Sequence, residues 1–553
     1  MNSNQIDAAL MAKMFLAGAR NLELKKEWIN ELNVFPVPDG DTGTNMTLTI
    51  QSAAEEVKNL DPLTLESVSK AISSGSLRGA RGNSGVILSQ LFRGCSKVWR
   101  NESAITPENT VRAFQKAVET AYKAVMKPKE GTILTVAKAG YDRALELVTS
   151  NPDIELEDLL KGVIDYMQVV LDQTPDMLPV LKEAGVVDSG GQGLVQIMKG
   201  CYNGFLGIEE EAPEEEAAVP VKQYAYRTEF ILKSREHISK EERLGFVAFL
   251  EEQGADVAAE RCEEGLKVHI NSDDPGVILS KALIFGSLSR IHVINNVERP
   301  QYPLHIFEEQ ELQEAMADPR KDPEEEEAPV QMPHKEVGFI AVSIGTGLGS
   351  IFRELGADYL IEGGQTMNPS TQDIMDAVDH VNADTVFILP NNKNIILAAE
   401  QAQNLIHDKR IVVVPSKTIP QGISALVNYL PDKSVEENEA LMRDEIRLVR
   451  TVELTYAVRD TRIDEKTIHA GDIMGVGDTG IIAVGQDISD TAFESVKELV
   501  AEDSELISVY YGHDTKEEDA EALGERLTEE FPDLEVEVAS GGQPLYYYII
   551  SIE

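Results

Sequence analysis

The most informative loop of this sequence reads Val34-Phe35-Pro36-Val37-Pro38-Asp39-Gly40-Asp41-Thr42-Gly43-Thr44-Asn45-Met46. It holds two carboxylates, Asp39 and Asp41, separated by a single glycine. Gly40 allows a sharp backbone bend, so both carboxylates can face one point. Magnesium prefers oxygen ligands and commonly takes one or two carboxylates together with phosphate oxygens and water. The loop therefore predicts a magnesium site.

The alternative interpretation is a plain Asp-Gly turn, which is the commoner fate of an isolated Asp-Gly-Asp. The residues after the pair favour the functional interpretation. Thr42 or Thr44 can cap a following helix. The N-terminus of a helix attracts phosphate through its free N–H groups.

Composition excludes some classes of partner. The chain has 553 residues, which is too long for one hydrophobic core, and its formal net charge is −45. Such an acidic chain does not suit nucleic acid or an anionic membrane surface. The three cysteines form no disulfide or metal-binding pattern. With no basic N-terminal signal and no apolar run of membrane-spanning length, we expect a cytoplasmic protein without an integral membrane segment.

Residues 1–207 carry apolar side chains at helical spacing, and they predict about eight helices and no strand. Polar and glycine residues collect in the loops between these helices. Three further loops resemble phosphate-binding turns, although each by itself is commonly a simple turn. These loops are Arg78-Gly79-Ala80-Arg81-Gly82-Asn83-Ser84-Gly85, Lys127-Pro128-Lys129-Glu130-Gly131-Thr132 and Val187-Asp188-Ser189-Gly190-Gly191-Gln192-Gly193.

These loops resemble the nucleotide-binding domain of dihydroxyacetone kinases and of the ATP-binding subunit of bacterial fatty acid kinase. Four stretches have sequences similar to those of the fatty acid kinase subunits, and these are Asn33–Met46, Arg81–Gly85, Lys127–Thr132 and Val186–Gly191. Three sequence motifs in the C-terminal part extend the resemblance to nearly the whole chain. They are Gly363-Gly364-Gln365-Thr366-Met367-Asn368-Pro369-Ser370-Thr371, Leu389-Pro390-Asn391-Asn392-Lys393-Asn394 and Ile419-Pro420-Gln421-Gly422-Ile423-Ser424-Ala425-Leu426.

The resemblance implies an all-α helical barrel with ATP and Mg²⁺ at its loop end. Asp39 and Asp41 would hold the metal, and we assign Asp39, Asp41 and Arg81 to catalysis. The residues implied in nucleotide binding are Thr42, Gly43, Thr44, Asn45, Asn83, Ser84, Gly131, Thr132, Asp188, Ser189 and Gly190. Dihydroxyacetone kinases usually have a third metal-binding aspartate, but the corresponding position here is Val34. Asn33 or another residue can fill that role, so the third ligand stays open.

The remaining chain divides into linkers and two further domains. Residues 208–222 and 311–334 are acidic and contain proline, as expected of linkers. Residues 223–310 alternate strand and helix patterns and predict a small α+β domain. Related kinase subunits can carry zinc there, but His269 has no second histidine beside it and Arg227 stands at the expected cysteine. We therefore expect no zinc.

Residues 335–553 predict an α/β domain, with buried strands at Val337–Ile344, Thr385–Leu389 and Ile411–Val414. The glycine-rich turn after the first strand has the wrong spacing for a dinucleotide fingerprint. The resemblance implies that a separate DegV-like protein carries the fatty acid. We expect it to dock on residues 335–553. Residues 1–207 should bind ATP on their own, because all four loops lie within them.

The predicted reaction is transfer of the γ-phosphate of ATP to a fatty acid carboxylate, giving an acyl phosphate. Residues 1–207 contain no histidine, and Arg78 and Lys127 join Arg81 as candidates for stabilising charge at the γ-phosphate. A carboxylate with a pKa of roughly 4 to 5 is ionised at neutral pH and needs no general base. Two alternatives remain: a kinase of dihydroxyacetone or another small polyol, and a non-catalytic nucleotide-sensing scaffold. The resemblance also implies a homodimer.

Overall fold

The computed structural model describes most of the chain outside the acidic linkers. The described residues are 4–34, 40–125, 127–208, 226–234, 246–247, 249–250, 253–262, 265–295, 334–364, 368–457, 461–463, 466–469, 471–477 and 480–553. Two compact units divide the chain. One comprises residues 1–211 and 330–553, and the other comprises residues 212–329.

The first region is helical, as predicted, and eight of its described helices have 14 or more residues. Polar caps explain several of the starts: Asp7 accepts the N–H of Leu10, and Thr64 forms a capping box with Ser67. The helices are α1 Ala8–Leu24, α2 Lys26–Glu31, α3 Thr42–Lys58, α4 Leu65–Arg78, α5 Gly82–Trp99, α6 Pro107–Ala124, α7 Ile133–Ser150, α8 Leu156–Asp172, α9 Thr174–Met177, α10 Pro179–Ala184 and α11 Ser189–Leu206.

Helix α11 lies at the centre of this helical region, in contact with α1, α3, α7 and α8. The side chains of Leu22, Ile50 and Val195 are fully buried in the core that these helices share. Burial of such apolar faces is the main stabilisation of amphipathic helices in a bundle. The last helix is therefore held on several sides, and its first turn has a fixed position.

The unit of residues 212–329 has the predicted α+β character. Its antiparallel sheet has the order β2-β3-β1-β4, with helix α12 Pro275–Leu283 in contact with β1 and β4. The strands are β1 Tyr226–Ser234, β2 Gly254–Cys262, β3 Gly265–Ser272 and β4 Gly286–Asn295. Strand β2 was missed by the sequence analysis.

His269 lies half-buried on β3, in register with Glu229 of β1 and Ala258 of β2. Within the part of the chain that the structure describes, no group of three or more His, Cys, Asp or Glu residues could hold a metal ion. The expectation that this unit lacks zinc stays a prediction.

The region from residue 334 onward is α/β, as predicted, and contains two main sheets. A parallel sheet has the order β6-β5-β7-β8, and a mixed sheet has the order β13-β12-β9-β16-β14-β15. The strands are β5 Lys335–Ser343, β6 Tyr359–Glu362, β7 Ala383–Leu389, β8 Arg410–Val413, β9 Arg450–Tyr456, β10 Thr461–Ile463, β11 Lys466–Ile468, β12 Ile473–Gly477, β13 Gly480–Gly485, β14 Leu506–Tyr511, β15 Glu535–Ser540 and β16 Tyr548–Ile552. Strands β10 and β11 form a separate hairpin.

Helices follow most strands of the parallel sheet, as right-handed βαβ connections require. The described helices of this region are α13 Thr346–Glu354, α14 Thr371–His380, α15 Ile396–Leu405, α16 Ile419–Val427, α17 Val435–Glu445, α18 Ile488–Leu499 and α19 Glu517–Glu530. Of these, α13 to α16 follow the strands of the parallel sheet, whereas α18 and α19 follow strands of the mixed sheet. The glycine-rich turn after β5 packs against the Gly541-Gly542-Gln543 loop. A Cβ on Gly347 would lie 1.9 Å from the carbonyl oxygen of Ser540, so this contact between the two sheets requires glycine.

Candidate nucleotide and metal site

The Asp-Gly-Asp loop leads directly into helix α3. Residues 35–39, including the predicted ligand Asp39, lie outside the described residues. Gly40 has φ of 63°, a left-handed conformation that favours glycine and fits the sharp bend expected from the sequence. Asp41 is the N-cap residue of α3 and makes no side-chain capping bond there. Its carboxylate therefore lies at the N-terminus of a helix, where it can face a cation or a ligand.

The threonines that follow are not caps, contrary to the sequence analysis. Thr42 is the first residue of α3, and Thr44 is bonded to α2. The Oδ1 of Asn30 accepts the N–H of Thr44 at 3.0 Å, and the Nδ2 of Asn30 donates to Thr44 Oγ1 at 3.1 Å. Asn30 thus fixes the first turn of α3, a positioning role that the sequence analysis missed.

Gly43 explains how α2 can approach α3 so closely. A Cβ at this position would lie 2.2 Å from the carbonyl oxygen of Lys26 and 2.8 Å from Asn30 Oδ1. No side chain larger than hydrogen fits without movement of the backbone. The predicted binding residue Gly43 therefore has a clear packing role.

The structure brings the four predicted loops together at one end of the helical region. Gly82, at the start of α5, lies against the Asn45 side chain of α3. Gly193 of α11 faces the Met46 side chain of α3, and Gly190 of α11 faces Ile133 at the start of α7. The N-termini of α3, α5, α7 and α11 are therefore neighbours. Clustered helix N-termini favour a polyanion through their dipoles and through first-turn N–H groups that no other N–H of the helix can replace.

The predicted nucleotide-binding residues divide by exposure. Thr44, Asn83, Ser84 and Thr132 are partly exposed. The others are buried, and these are Thr42, Gly43, Asn45, Gly131, Asp188, Ser189 and Gly190. For the buried glycines of this set, the backbone N–H group is the donor available to a phosphate.

Asp188 is the N-cap residue of α11, and its Oδ2 accepts the N–H of Gly191 at 2.7 Å. Its own N–H donates to Thr174 Oγ1 at 3.1 Å. Burial raises the pKa of Asp188 to about 6, while the N–H groups of Gly191 and Ile133 oppose this effect. Ile133 begins α7, so this carboxylate ties the starts of two of the four helices.

The basic candidates have different surroundings. Arg81 is the N-cap residue of α5, and its Nη1 donates to the carbonyl oxygen of Asn368 at 2.8 Å. The same Nη1 lies 3.2 Å from Asp373 Oδ2. Arg78 forms an ion pair with Glu56 of α3, and Lys127 is exposed. Of the three, Arg81 contacts Asn368, which in turn donates a hydrogen bond to Asp41 in the predicted metal-binding loop.

Residues of the C-terminal region reach this end of the helical region. Asn368 Nδ2 donates to Asp41 Oδ2 at 2.6 Å, and Asn83 Nδ2 donates to Asn394 Oδ1 at 3.0 Å. The backbone continues the contact, because the N–H of Thr371 donates to the carbonyl oxygen of Ala80 at 3.0 Å. Residues of two of the C-terminal sequence motifs on which the resemblance rests thus lie at the predicted active site. The sequence analysis used those motifs but assigned no role to Asn368 or Asn394.

A packed interface supports these contacts. Ala80 and Val86 are buried in the same apolar cluster as Ile340 and Ile374 of the C-terminal region. Beside that cluster, Gln401 Nε2 donates to the carbonyl oxygen of Leu77 at 2.6 Å, and its Oε1 accepts from Gln90 Nε2 at 2.8 Å. Buried polar groups with this many partners fix a single docking geometry.

The donors present fit magnesium. Asp41 offers a carboxylate, and Asn368 is 2% exposed with its Oδ1 lacking a hydrogen-bond partner. Hard oxygen donors of this kind are the ligands that Mg²⁺ takes. Asn33, which the sequence analysis considered as the third ligand, is buried, and its N–H donates to the carbonyl oxygen of Asn30.

A separate cleft of about 570 Å³ lies along the middle of α5, between α6 and α15. Its cationic lining includes Arg93, Lys97, Lys116 and Lys123. Burial, followed by the positive charge of Arg93 and Lys116, lowers the pKa of Lys97. The cleft does not include the helix starts at which the predicted loops meet.

Comparison with known proteins gives the class of this chain. Residues 36–203 match the DAK2 domain, so the helical region belongs to that class of domain. Residues 223–299 match the middle domain of the FakA-like fatty acid kinase subunits, and residues 338–553 match their C-terminal domain. The chain is 41% identical to protein YloV of Bacillus subtilis strain 168, with 100% of both chains covered. It belongs to the FakA-like family of fatty acid kinase subunits.

Two solved structures have partial similarity. A fatty-acid-binding DegV family protein from Thermus thermophilus aligns with 40% of this chain and 100% of its own, at 14% identity and a TM-score of 0.30. The dihydroxyacetone kinase of C. freundii, in complex with AMP-PNP and Mg²⁺, aligns with 35% of this chain and 34% of its own, at 18% identity and a TM-score of 0.28. Among the described helices, none is both long and apolar enough to cross a membrane.

Proposed function

We propose that this chain is the ATP-binding subunit of a fatty acid kinase. It transfers the γ-phosphate of Mg-ATP to the carboxylate of a fatty acid and produces an acyl phosphate and ADP. Membership of the FakA-like family of fatty acid kinase subunits supports the substrate class. The observation that carries the proposal is the meeting of the α3, α5, α7 and α11 N-termini beside Asp41.

The helix starts bind the triphosphate. First-turn N–H groups of α3, α5, α7 and α11 other than those of Thr44, Ile133 and Gly191, which already donate to side chains, donate to phosphate oxygens. The helix dipoles add attraction for negative charge. Asp39 and Asp41 hold the magnesium ion, which neutralises phosphate charge when it is bound. Arg81, at the start of α5, stabilises the charge that spreads over the γ-phosphate in the transition state.

The acceptor needs no general base. A fatty acid carboxylate is ionised at neutral pH, because its pKa is roughly 4 to 5. One of its oxygens attacks the γ-phosphorus, and a new P–O bond forms. The bond between that phosphorus and the β–γ bridging oxygen breaks, and its electron pair leaves with ADP. The absence of histidine from residues 1–207 is consistent with this route.

A separate protein presents the acceptor. The matching middle and C-terminal families are described as parts of one kinase subunit, which implies that the complete kinase has at least one further subunit. We propose that a DegV-like carrier protein binds the fatty acid and docks on residues 335–553. We also propose that the present chain forms a homodimer. The carrier raises the effective concentration of a poorly soluble substrate at the ATP site.

The alternatives differ in their acceptors. The DAK2 match also suits a kinase of dihydroxyacetone or another small polyol. The middle and C-terminal matches favour the fatty acid, because their families are fatty acid kinase subunits. A nucleotide-sensing scaffold would bind ATP without turning it over.

The test is an ATP-turnover assay on the full chain with three acceptors, which are a fatty-acid-loaded carrier from the same cell, free fatty acid, and dihydroxyacetone. Hydroxylamine traps an acyl phosphate as a hydroxamate, which identifies the product directly. We expect hydroxamate with the loaded carrier and little with the other acceptors. Turnover with dihydroxyacetone and no carrier would replace the proposal with the polyol kinase, and ATP binding without any turnover would support the scaffold.

A further inference from the structure

Asn368 connects the C-terminal region to the carboxylate of the predicted metal loop. It lies in the segment between β6 and α14, two residues before the Ser370 N-cap of that helix. Its Nδ2 donates to Asp41 Oδ2 at 2.6 Å, and its main-chain oxygen accepts from Arg81 Nη1 at 2.8 Å. One residue therefore contacts two side chains that the sequence analysis assigned to catalysis.

The amide oxygen of Asn368 has no partner. The residue is 2% exposed, and Oδ1 accepts no hydrogen bond from the residues that the structure describes. A buried oxygen without a partner is costly, so native proteins rarely leave one without a reason. Two described neighbours do not supply a donor to this oxygen, since Arg81 is directed to the main-chain oxygen and Asp41 has only acceptors when ionised.

The residues that follow Asn368 are firmly held. Ser370 and Asp373 form a capping box at the start of α14, in which Asp373 Oδ2 accepts the N–H of Ser370 at 2.7 Å. Arg81 and Ser370 form an antiparallel bridge between the two regions. The amide is therefore fixed beside Asp41, as a ligand on a rigid support must be.

We infer that Asn368 is a third protein oxygen ligand of the magnesium site, supplied by the C-terminal region to a metal that Asp39 and Asp41 hold from the helical region. The inference rests on the proposed function, because that function places the metal at Asp39 and Asp41. It provides the third ligand that the apolar side chain of Val34 cannot supply. When a metal binds, the hydrogen bond between Asn368 and Asp41 would be replaced by coordination of the same cation by both side chains.

A neutral third ligand has a consequence for affinity. Two carboxylates and one amide carry one negative charge less than three carboxylates. The site therefore holds a bare divalent ion weakly and gains affinity when the nucleotide adds phosphate oxygens. Metal binding then also requires that the C-terminal region keeps Asn368 beside Asp41.

The test measures metal binding on the full chain without any acceptor. Mn²⁺ replaces Mg²⁺ because its electron paramagnetic resonance signal distinguishes free from bound ion, and AMP-PNP supplies phosphates that are not hydrolysed. We expect Asn368→Ala to weaken Mn²⁺ binding in the presence of AMP-PNP by about tenfold or more. Asn368→Asp, which keeps the oxygen and adds charge, should bind at least as tightly as the wild type.

Gln90→Ala is the matched control. It removes a 2.8 Å hydrogen bond to Gln401 across the same interface, yet it lies two turns along α5 from the loop end. We expect its Mn²⁺ affinity to equal that of the wild type. Equal losses in Asn368→Ala and Gln90→Ala would assign Asn368 to docking of the two regions and overturn the inference.

The remaining outcomes separate this inference from the proposed function. If Asp41→Asn loses Mn²⁺ binding while Asn368→Ala keeps it, the inference is wrong and the proposed site stands. Tighter Mn²⁺ binding by Asn368→Ala would mean that Asn368 blocks the metal, which also overturns the inference. If the wild type binds no Mn²⁺ with AMP-PNP, both the proposed function and the inference fail.

Discussion

At the scale of single residues, Asp41 combines a local and a long-range role. It ends a left-handed glycine turn, begins α3, and accepts a hydrogen bond from Asn368, which lies far away in the sequence. The glycine and the carboxylate were evident from the sequence. The asparagine was not, because a contact across the fold leaves no local pattern.

We predict that Asp41→Asn abolishes magnesium-dependent ATP turnover and leaves the chain folded. The carboxylate is partly exposed and makes no capping bond, so its replacement by an amide of the same size removes little packing. Turnover at saturating ATP and circular dichroism measure the two expectations. Full activity of this variant would rule out Asp41 as a metal ligand.

Asp188 should make folding stability depend on pH. Burial raises its pKa from 3.8 to about 6, so between these values the folded state holds a proton that the unfolded state has released. Stability from this group is present below pH 4 and is lost as the pH rises toward 6. The loss is at most about 3 kcal/mol, from the size of the shift.

Asp188→Asn removes this titration and keeps the shape of the side chain. We expect the difference in unfolding free energy between wild type and variant to change between pH 4 and 6 and to be constant above pH 6.5. Denaturant unfolding at several pH values measures it. A difference that does not vary with pH would show that Asp188 has an ordinary pKa.

At the scale of elements, the site is made by the starts of helices. The starts of α3, α5, α7 and α11 lie together, although long helical stretches separate them in the sequence. Close packing at the small residues of these starts sets their positions. The chemistry of the site is therefore sensitive to changes that move a helix without removing a functional group.

Gly43→Ala tests this dependence. Its Cβ would lie 2.2 Å from the carbonyl oxygen of Lys26, so α3 must move away from α2. We expect a loss of stability of about 1 to 3 kcal/mol, as for overpacked cores, together with weaker nucleotide binding. Thermal unfolding and titration with AMP-PNP give the two values.

Gly162→Ala is the control for helix packing. Gly162 lies within α8, where a Cβ would meet the flexible end of the Leu147 side chain. Alanine favours a helix over glycine by about 1 kcal/mol, so this variant should keep or gain stability and bind nucleotide normally. Weakened nucleotide binding in Gly162→Ala would show that the two glycines do not differ in the way the packing implies.

At the scale of the whole molecule, the helical and C-terminal regions form one compact unit. The sequence suggested that residues 1–207 would bind ATP independently. The buried contacts of Ala80 and Val86, together with Asn368 at Asp41, give the C-terminal region a place at the nucleotide site. Removal of residues 335–553 should therefore weaken nucleotide binding, contrary to the expectation from the sequence.

Gln401→Ala tests the interface in the full chain. The substitution leaves the carbonyl oxygen of Leu77 and the side chain of Gln90 buried without partners, which costs about 1 to 3 kcal/mol. We expect faster hydrogen exchange at the start of α5. Gln403→Ala, which removes a bond to Ile411 within the C-terminal region, should leave that exchange unchanged. Equal exchange in both variants would contradict a stabilising role for the interface.

The sequence by itself determined the helical character of the first region, the α/β character of the last, and the loops that carry polar chemistry. Those features follow from apolar periodicity and from glycine and aspartate at short spacing, which act locally. The tertiary structure decided which helix starts meet, that Asn30 holds Thr44, and that Asn368 reaches Asp41. Such contacts depend on how helices and sheets that are far apart in the sequence pack together. The energy of that packing comes from many side chains, so no single motif indicates it.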